Sequence, residues 1–221
     1  MSDIAIFDLD YTLTRRGTWG RFVMLAVRFK PWYWLPLWGS AGLMQLRYVM
    51  GGVPRIQVKQ TMMRWGMVGS CRIKMRRLAQ EFADREIAKG LRPGAVAALQ
   101  RHKEAGDTII IASASVDLIV EPIARKLGVK YWVATQMAWE NGVLAPYFAS
   151  ENCYGPEKLE RVKALLAQNP ELKQNHTHIT MYTDSHSDVE ILRFSDKAVA
   201  VCGDEKLIAI AKTEGFEILN W

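Results

Sequence analysis

Residues 4–14 read IAIFDLDYTLT, a short apolar run that ends in Asp8-Leu9-Asp10. Such a run reads as a buried strand meeting a polar site. Side chains two apart on an extended segment project to the same side. Asp8 and Asp10 then lie close enough to repel, unless a cation sits between them or one of them holds a proton.

The rest of the chain supplies a sheet for that strand. After Gly90 the pattern alternates strand with helix. Helices are expected from Pro93 to Ala105, Val116 to Leu127, Pro156 to Ala167, Ser187 to Phe194 and Glu205 to Glu214. Strands are expected from Thr108 to Ala112, Lys130 to Thr135, Ile179 to Thr183 and Ala198 to Val201, with a last one from Phe216 to Leu219. Met137 to Phe148 contains Asn141-Gly142 and reads as a hairpin. This rhythm predicts an α/β fold: a doubly wound, mainly parallel, Rossmann-like sheet covered on both faces. Residues 14–89 break the rhythm. Arg21 to Phe29, Leu43 to Val49, Ile56 to Met63 and Ile73 to Ala88 look helical, and Gly51-Gly52 with Pro54 punctuates the middle. The expected organisation is a core of residues 1–13 and 90–221, with a helical cap at 14–89 inserted after the first strand.

Ligands of an open parallel sheet sit beyond the carboxyl ends of its strands. Three polar clusters fall there: Asp8/Asp10, Ser113, and Asp184/Asp188 in TDSHSD. Oxygen donors without His or Cys suit a hard ion, most simply Mg2+, and Mg2+ in turn implies a phosphate. The Ser113 hydroxyl and the nearby amide of Ala114 can hold an oxyanion. Lys158, at the start of the helix after GPE, can neutralise phosphate oxygens. Ser115 competes with Ser113 and is read as the cap of the following helix. Lys163, the rival of Lys158, lies further into its helix. His176 and His178 lie before a strand, at the wrong end for the site, and read as loop residues. His186 and His102 read as solvent-exposed. Together these groups describe a phosphoryl-transfer site with a carboxylate nucleophile.

DLDYTLT, Ser113, Lys158 and TDSHSDVEIL follow the order of the motifs of the haloacid dehalogenase (HAD) superfamily, from residue 8 to residue 188. The chain resembles the phosphoserine phosphatase-like subgroup (subfamily IB) of that superfamily, whose helical cap follows the first motif. The tail from Asp204 to Leu219 is similar to bacterial hydrolases of the same subgroup. The resemblance implies a Mg2+-dependent phosphatase working through an aspartyl-phosphate. It implies Asp8 as nucleophile and metal ligand, and Asp10 as general acid with its carbonyl on the metal. Ser113, Ala114 and Lys158 would bind phosphate and Asp184 the metal, with Asp188 and Thr12 in support. Tyr11 and Thr183 stand where the family commonly has Gly. Phosphoserine phosphatases carry a Glu early in the cap. Here that neighbourhood is Arg15-Arg16-Gly17-Thr18-Trp19, which argues against L-phosphoserine.

Charge and composition bear on the substrate. No acidic residue occurs between Asp10 and Glu81, a stretch that holds 13 of the 29 basic residues. This segment is expected to attract an anion. It also holds five of the eight tryptophans, Trp19, Trp32, Trp34, Trp38 and Trp65. Residues 31–46, PWYWLPLWGSAGLMQL, are uncharged. The run is shorter than the roughly 20 residues of a spanning helix, and Pro31 and Pro36 interrupt it. The tryptophans read as the cap's own core, as a peripheral contact with anionic membrane lipid serving a phosphatidylglycerophosphate-like substrate, or as a dimer interface. A non-catalytic membrane- or partner-binding protein on the same fold is the rival of another class, and a phosphotransferase is the enzymatic rival. No nucleic-acid module is visible, so nucleic acid is not an expected partner. The cysteines Cys71, Cys153 and Cys202 form no CxxC pair, and the start of the chain has no secretory pattern. Both fit a reducing, cytoplasmic setting.

Overall fold

The computed structural model describes residues 3–174 and 178–221, so His176 lies outside the described residues. Six parallel strands form one sheet: β1 Ile4–Phe7, β2 Thr108–Val116, β3 Tyr131–Thr135, β6 Ile179–Thr183, β7 Lys197–Val201 and β8 Glu217–Leu219. A separate hairpin pairs β4 Met137–Glu140 with β5 Val143–Phe148. Its turn residues Asn141 and Gly142 both have positive φ, 49° and 80°, as a tight two-residue hairpin requires. The sheet order is β3-β2-β1-β6-β7-β8. β1 is therefore central, and the winding direction reverses on either side of it. This is the point where a parallel sheet opens a crevice at its carboxyl edge.

The two faces of the sheet are filled by alternate residues of the same strands, as the pleat dictates. Ala5, Phe7, Ile109 and Ile111 face one layer, with residues of α5 Pro93–Glu104 and α6 Asp117–Lys126. Ile4, Ile6, Ile110 and Met181 face the other, with residues of α7 Pro156–Gln168, α9 Val189–Phe194 and α10 Glu205–Glu214. A short helix, α8 Pro170–Gln174, follows α7.

Between β1 and α5 stand four helices: α1 Thr18–Ala26, α2 Trp34–Val49, α3 Arg55–Arg64 and α4 Arg72–Arg85. The segments leading into and out of them are bonded to each other. Arg15 N donates to Gly90 O (2.8 Å) and Arg92 N to Leu13 O (2.9 Å). Arg21 grips the buried carboxylate of Glu86 through two bonds of 2.7 and 2.5 Å. The β4–β5 hairpin makes a second attachment: Gly69 N donates to Leu144 O, and Leu144 N to Ser70 O, at 2.8 and 3.0 Å.

Several local expectations are corrected. Pro36 does not interrupt a helix. It occupies the first turn of α2, where a missing N–H leaves no intrahelical bond unmade. β2 continues through Ser115 to Val116, so Ser115 lies in the strand and not at the head of α6. His102 is not a surface residue. Its ring nitrogens lie 2.8 Å from Asp107 Oδ2 and 2.9 Å from the Tyr182 hydroxyl. Of the cap tryptophans Trp19 is buried, but Trp32, Trp34 and Trp38 are exposed, so these three do not form a core of the helical layer.

Phe22 of α1 is fully buried and meets Phe82 of α4 edge-on, ring centroids 5.6 Å apart. Phe22→Ala is expected to lower the free energy of unfolding by about 3–5 kcal/mol. A reduced urea midpoint at unchanged slope is the measurement.

Candidate active site

β1 delivers Asp8 to the carboxyl edge, and the chain then turns sharply through residues 9–13. Tyr11 takes a left-handed conformation there (φ 61°), a position where a side chain is strained. Its ring leans on Gly17; a Cβ there would come within 3.4 Å of the ring. The turn separates the fates of the two aspartates. Asp8 accepts a 2.7 Å bond from Lys158 Nζ. Asp10 faces the helical layer and accepts from the Thr18 amide at 2.8 Å. Burial raises the pKa of Asp10, and the Thr18 bonds oppose that rise.

Lys158 lies in the first turn of α7, behind Gly155 and Pro156. Its ammonium bridges Asp8 and Asp188, at 2.7 and 2.6 Å, and all three side chains are buried. Although burial disfavours its charge, the two carboxylates win and hold its pKa above the ordinary value. Thr183 also donates to Asp188 Oδ2, at 2.7 Å. Thr12 donates to Asp184 Oδ1 at 3.3 Å. The competing Lys163 pairs with Glu160 on the surface. His186 is bonded to Asp204 (2.7 Å) in an exposed position, and His178 is exposed beside the amino end of β6.

Ser113 and Ala114 sit where β2 loses register with β3. Ala112 pairs with Val133 and Val116 with Thr135, so four steps on β2 match two on β3. A bulge of this kind releases part of the strand from ladder pairing and re-aims its side chains. The Ser113 hydroxyl accepts from the Ser115 amide at 3.0 Å. Ser115 bonds instead with Thr18 of α1, oxygen to oxygen at 2.8 Å. All of the residues singled out for the site, namely Asp8, Asp10, Thr12, Ser113, Ala114, Lys158, Asp184 and Asp188, gather at this one edge of the sheet.

The sequence reading did not include Lys59. It reaches from α3 across to the bulge, where its ammonium donates to Ala114 O and, at 2.6 Å, to Asn152 Oδ1. Thr135 Oγ1 donates toward the same two acceptors, at 3.0 and 3.2 Å. Burial pulls the pKa of Lys59 down to about 7, with Arg55 adding to the effect. A signal was present. Ile56, Lys59 and Met63 are spaced as one helical stripe, and a lysine on such a stripe faces inward.

These groups open into a cavity of about 930 Å³. Asp8, Lys158 and Ser113 form its floor. Trp34 and Trp38 of α2 belong to its wall, and Arg16 and Arg55 add positive charge. The floor favours a cation as well. Burial raises Asp8 to about 8 against the pull of Lys158, while Asp188 and Asp184 push it further. Asp184 is likewise raised, to about 6, by burial. Three carboxylates thus share one ammonium, and Asp188 Oδ1 has no hydrogen-bond partner among the described residues. No group of three or more metal-ligating side chains is found among the described residues. Mg2+ does not need one, since it binds through one or two carboxylates with water and phosphate. The all-oxygen donor set, short of positive charge, fits Mg2+, with Asp8 and Asp184 as the side chains that would hold it.

Known proteins resemble this chain in sequence or in fold. Histidinol-phosphatase of Neisseria meningitidis is 27% identical over 143 residues, 64% of this chain and 64% of that protein, so the match spans less than two thirds of its length. Protein CicA of Caulobacter vibrioides is 28% identical over 200 residues, 88% of this chain and 83% of that protein. A protein of unknown function from Bordetella pertussis has the same fold, with a TM-score of 0.87, 22% identity and 99% of each chain covered. A substrate-bound phosphoserine phosphatase also superposes, with a TM-score of 0.68 at 16% identity over 100% of this chain and 93% of that one. Residues 5–193 match the haloacid dehalogenase-like hydrolases along most of the chain, and this protein belongs to that family.

Proposed function

We propose that this protein is a Mg2+-dependent phosphatase that hydrolyses phosphate monoesters by way of an aspartyl-phosphate on Asp8. Residues 1–13 and 90–221 form the core that handles the phosphoryl group, and the cap, 14–89, selects the leaving group. The observation that carries the reading is the different treatment of two aspartates two residues apart. Asp8 is held on the Lys158 ammonium, and Asp10 is held apart from it on the Thr18 amide.

In the first step an Asp8 carboxylate oxygen attacks phosphorus while the bond to the leaving oxygen breaks. Asp10 gives its proton to that oxygen, and the alcohol departs. In the second step Asp10, now a carboxylate, takes a proton from water. The water oxygen attacks phosphorus, the bond to Asp8 breaks, and inorganic phosphate leaves. Lys158, the Ser113 hydroxyl and the Ala114 amide stabilise charge on the non-bridging oxygens. Mg2+, if held by Asp8 and Asp184, would supply further positive charge to the transferring phosphoryl group. Lys59, by holding the Ala114 carbonyl, is a positioning residue for the bulge. The tryptophans in the cavity wall support an amphiphilic leaving group as a second reading, and the arginines near Asp10 disfavour one with a free ammonium.

Asp8→Asn is expected to lower release of phosphate from p-nitrophenyl phosphate by on the order of a thousandfold or more. A chelator should abolish wild-type release, and Mg2+ should restore it. Asp10→Asn should reduce kcat by about 10²–10⁴-fold for alkyl phosphates. The loss should be smaller for p-nitrophenyl phosphate, whose leaving oxygen needs no proton. Lys59→Met should lower kcat more than it changes KM. Lys59 also bears on stability. Its folded pKa of about 7 lies below its ordinary 10.5, so between those values the unfolded chain binds more protons and stability rises with pH. Denaturant midpoints measured across that window should rise less steeply in Lys59→Met.

A further inference from the structure

The outward side of α2 is apolar to a degree that nothing in the structure covers. Leu37, Ala41, Met44 and Tyr48 recur at helical spacing and face inward, buried or half-buried. The opposite arc holds Trp34, Leu35, Trp38, Leu46, Val49 and Met50, all exposed, with Leu35 at 84% and Met50 at 76%. Gly39 and Gly42 lie on the same arc and keep it flat, and it carries no charged side chain. Phe29 and Trp32, just before the helix, extend it, exposed at 79% and 67%. Apolar patches of this extent mark interaction sites.

Two features decide what covers it. The first is charge. The arc lies within the acid-free stretch and is edged by cations: Lys30 is 5.4 Å above the Tyr33 ring and Arg47 projects from α2, while Arg28, 4.8 Å above the Phe29 ring, is paired with Glu81 at 2.6 Å. Lys30 and Arg47 form no ion pair among the described residues. A twofold dimer through this face would set two such basic surfaces against each other, whereas an anionic surface complements them. The second is continuity. Trp34 and Trp38, at one edge of the arc, also line the cavity above Asp8. A second copy seated on the face would crowd the cavity mouth, whereas a fluid apolar layer would continue the cavity wall.

We infer that the outward face of α2 is a docking surface for an anionic lipid bilayer, on which the helix lies flat with its tryptophans at the headgroup level. Among the described residues no helix is long and apolar enough to cross a membrane. An uncharged face with aromatic anchors and flanking cations is the pattern of a helix that rests in the interface. In this orientation the cavity opens toward the lipid, so a phosphomonoester headgroup can reach Asp8 while its apolar part stays against Trp34 and Trp38. That last point rests on the phosphatase reading; the docking itself does not.

The test is flotation of the Asp8→Asn protein with phosphatidylcholine vesicles, with and without phosphatidylglycerol, at low and high salt. Leu35→Glu/Leu46→Glu, two substitutions outside the cavity lining, is the comparison, made in both the Asp8→Asn and the otherwise wild-type chain. The expected result is flotation with the anionic vesicles, weakened by salt. The double variant should lose roughly tenfold or more of that binding, because two leucyl groups no longer enter the apolar layer. With Asp8 intact it should keep wild-type release of phosphate from p-nitrophenyl phosphate, which shows that it folds. Absence of vesicle binding, or equal binding by the double variant, overturns the inference. So does a dimer in sedimentation that the double variant dissolves without any vesicle binding, since the face then belongs to a second copy. Retention of phosphate release by Asp8→Asn would overturn the aspartyl-phosphate reading, and absence of release from the wild-type chain would overturn the phosphatase reading; neither result changes vesicle binding.

Discussion

One ammonium organises the site. Lys158 Nζ lies between Asp8 and Asp188, at 2.7 and 2.6 Å, with all three side chains out of water. Removing a partner from a buried ion pair leaves an uncompensated charge, which is far more costly than the pair's net worth. The pair therefore ties β1, the start of α7 and the start of α9 to one another. The Gly155-Pro156 entry to α7, the Thr183 bond to Asp188 and the switch of winding direction at β1 all serve to bring these three groups together. The arrangement leaves negative charge in excess, which a divalent cation would offset.

Above that centre the helical layer is attached in ways that differ in kind. Near residues 13–15 and 90–92 it is held by main-chain bonds between two crossing segments. At Lys59 it is held by a buried amino group that reaches into the bulge of β2. The first joint is local, at the root of the layer. The second connects a side chain of the layer to the loop that would carry the phosphate oxygens, so that occupancy below and position above depend on each other.

The core was legible in the sequence because its signals are local and redundant. IAIFDLD, TIIIAS and ITMYTDSHSD each pair an apolar strand with a polar residue at its carboxyl end. The strand-end rule alone placed Asp8, Ser113 and Asp184 on one edge. The bounds of β6 and α10 coincide with the reading, since Thr183 and Glu214 are followed by a polar turn and by Gly215. Ser115 was misread because its hydroxyl bonds to Thr18, a partner almost a hundred residues earlier. His102 was misread for a similar reason: Asp107 is near in sequence, but Tyr182 is not. Lys59 belongs to the same class, being a polar residue whose partners come only from tertiary structure. For the tryptophans, composition gave no means of telling an internal core from an outward face. Only the pairing of α2 with α3 determines which side of α2 remains open.

The order of the strands has a kinetic consequence. β1 precedes the other strands of the sheet in the chain, yet it is the central strand. Ile4 pairs with Thr108 on one side and with Ile179 on the other. β1 must therefore wait for partner strands that begin only at Thr108 and Ile179, and its pairing closes two long loops. Loop closure becomes entropically more costly with length, and non-local pairing slows folding. In that interval the apolar segment Ile4–Phe7 has no strand beside it, while the helices between β1 and β2 can already pack among themselves. A chain of this topology should thus assemble its insert before its sheet. The segment that carries Asp8 would then be among the last to find its place, and the one most in need of protection from aggregation while the protein is made.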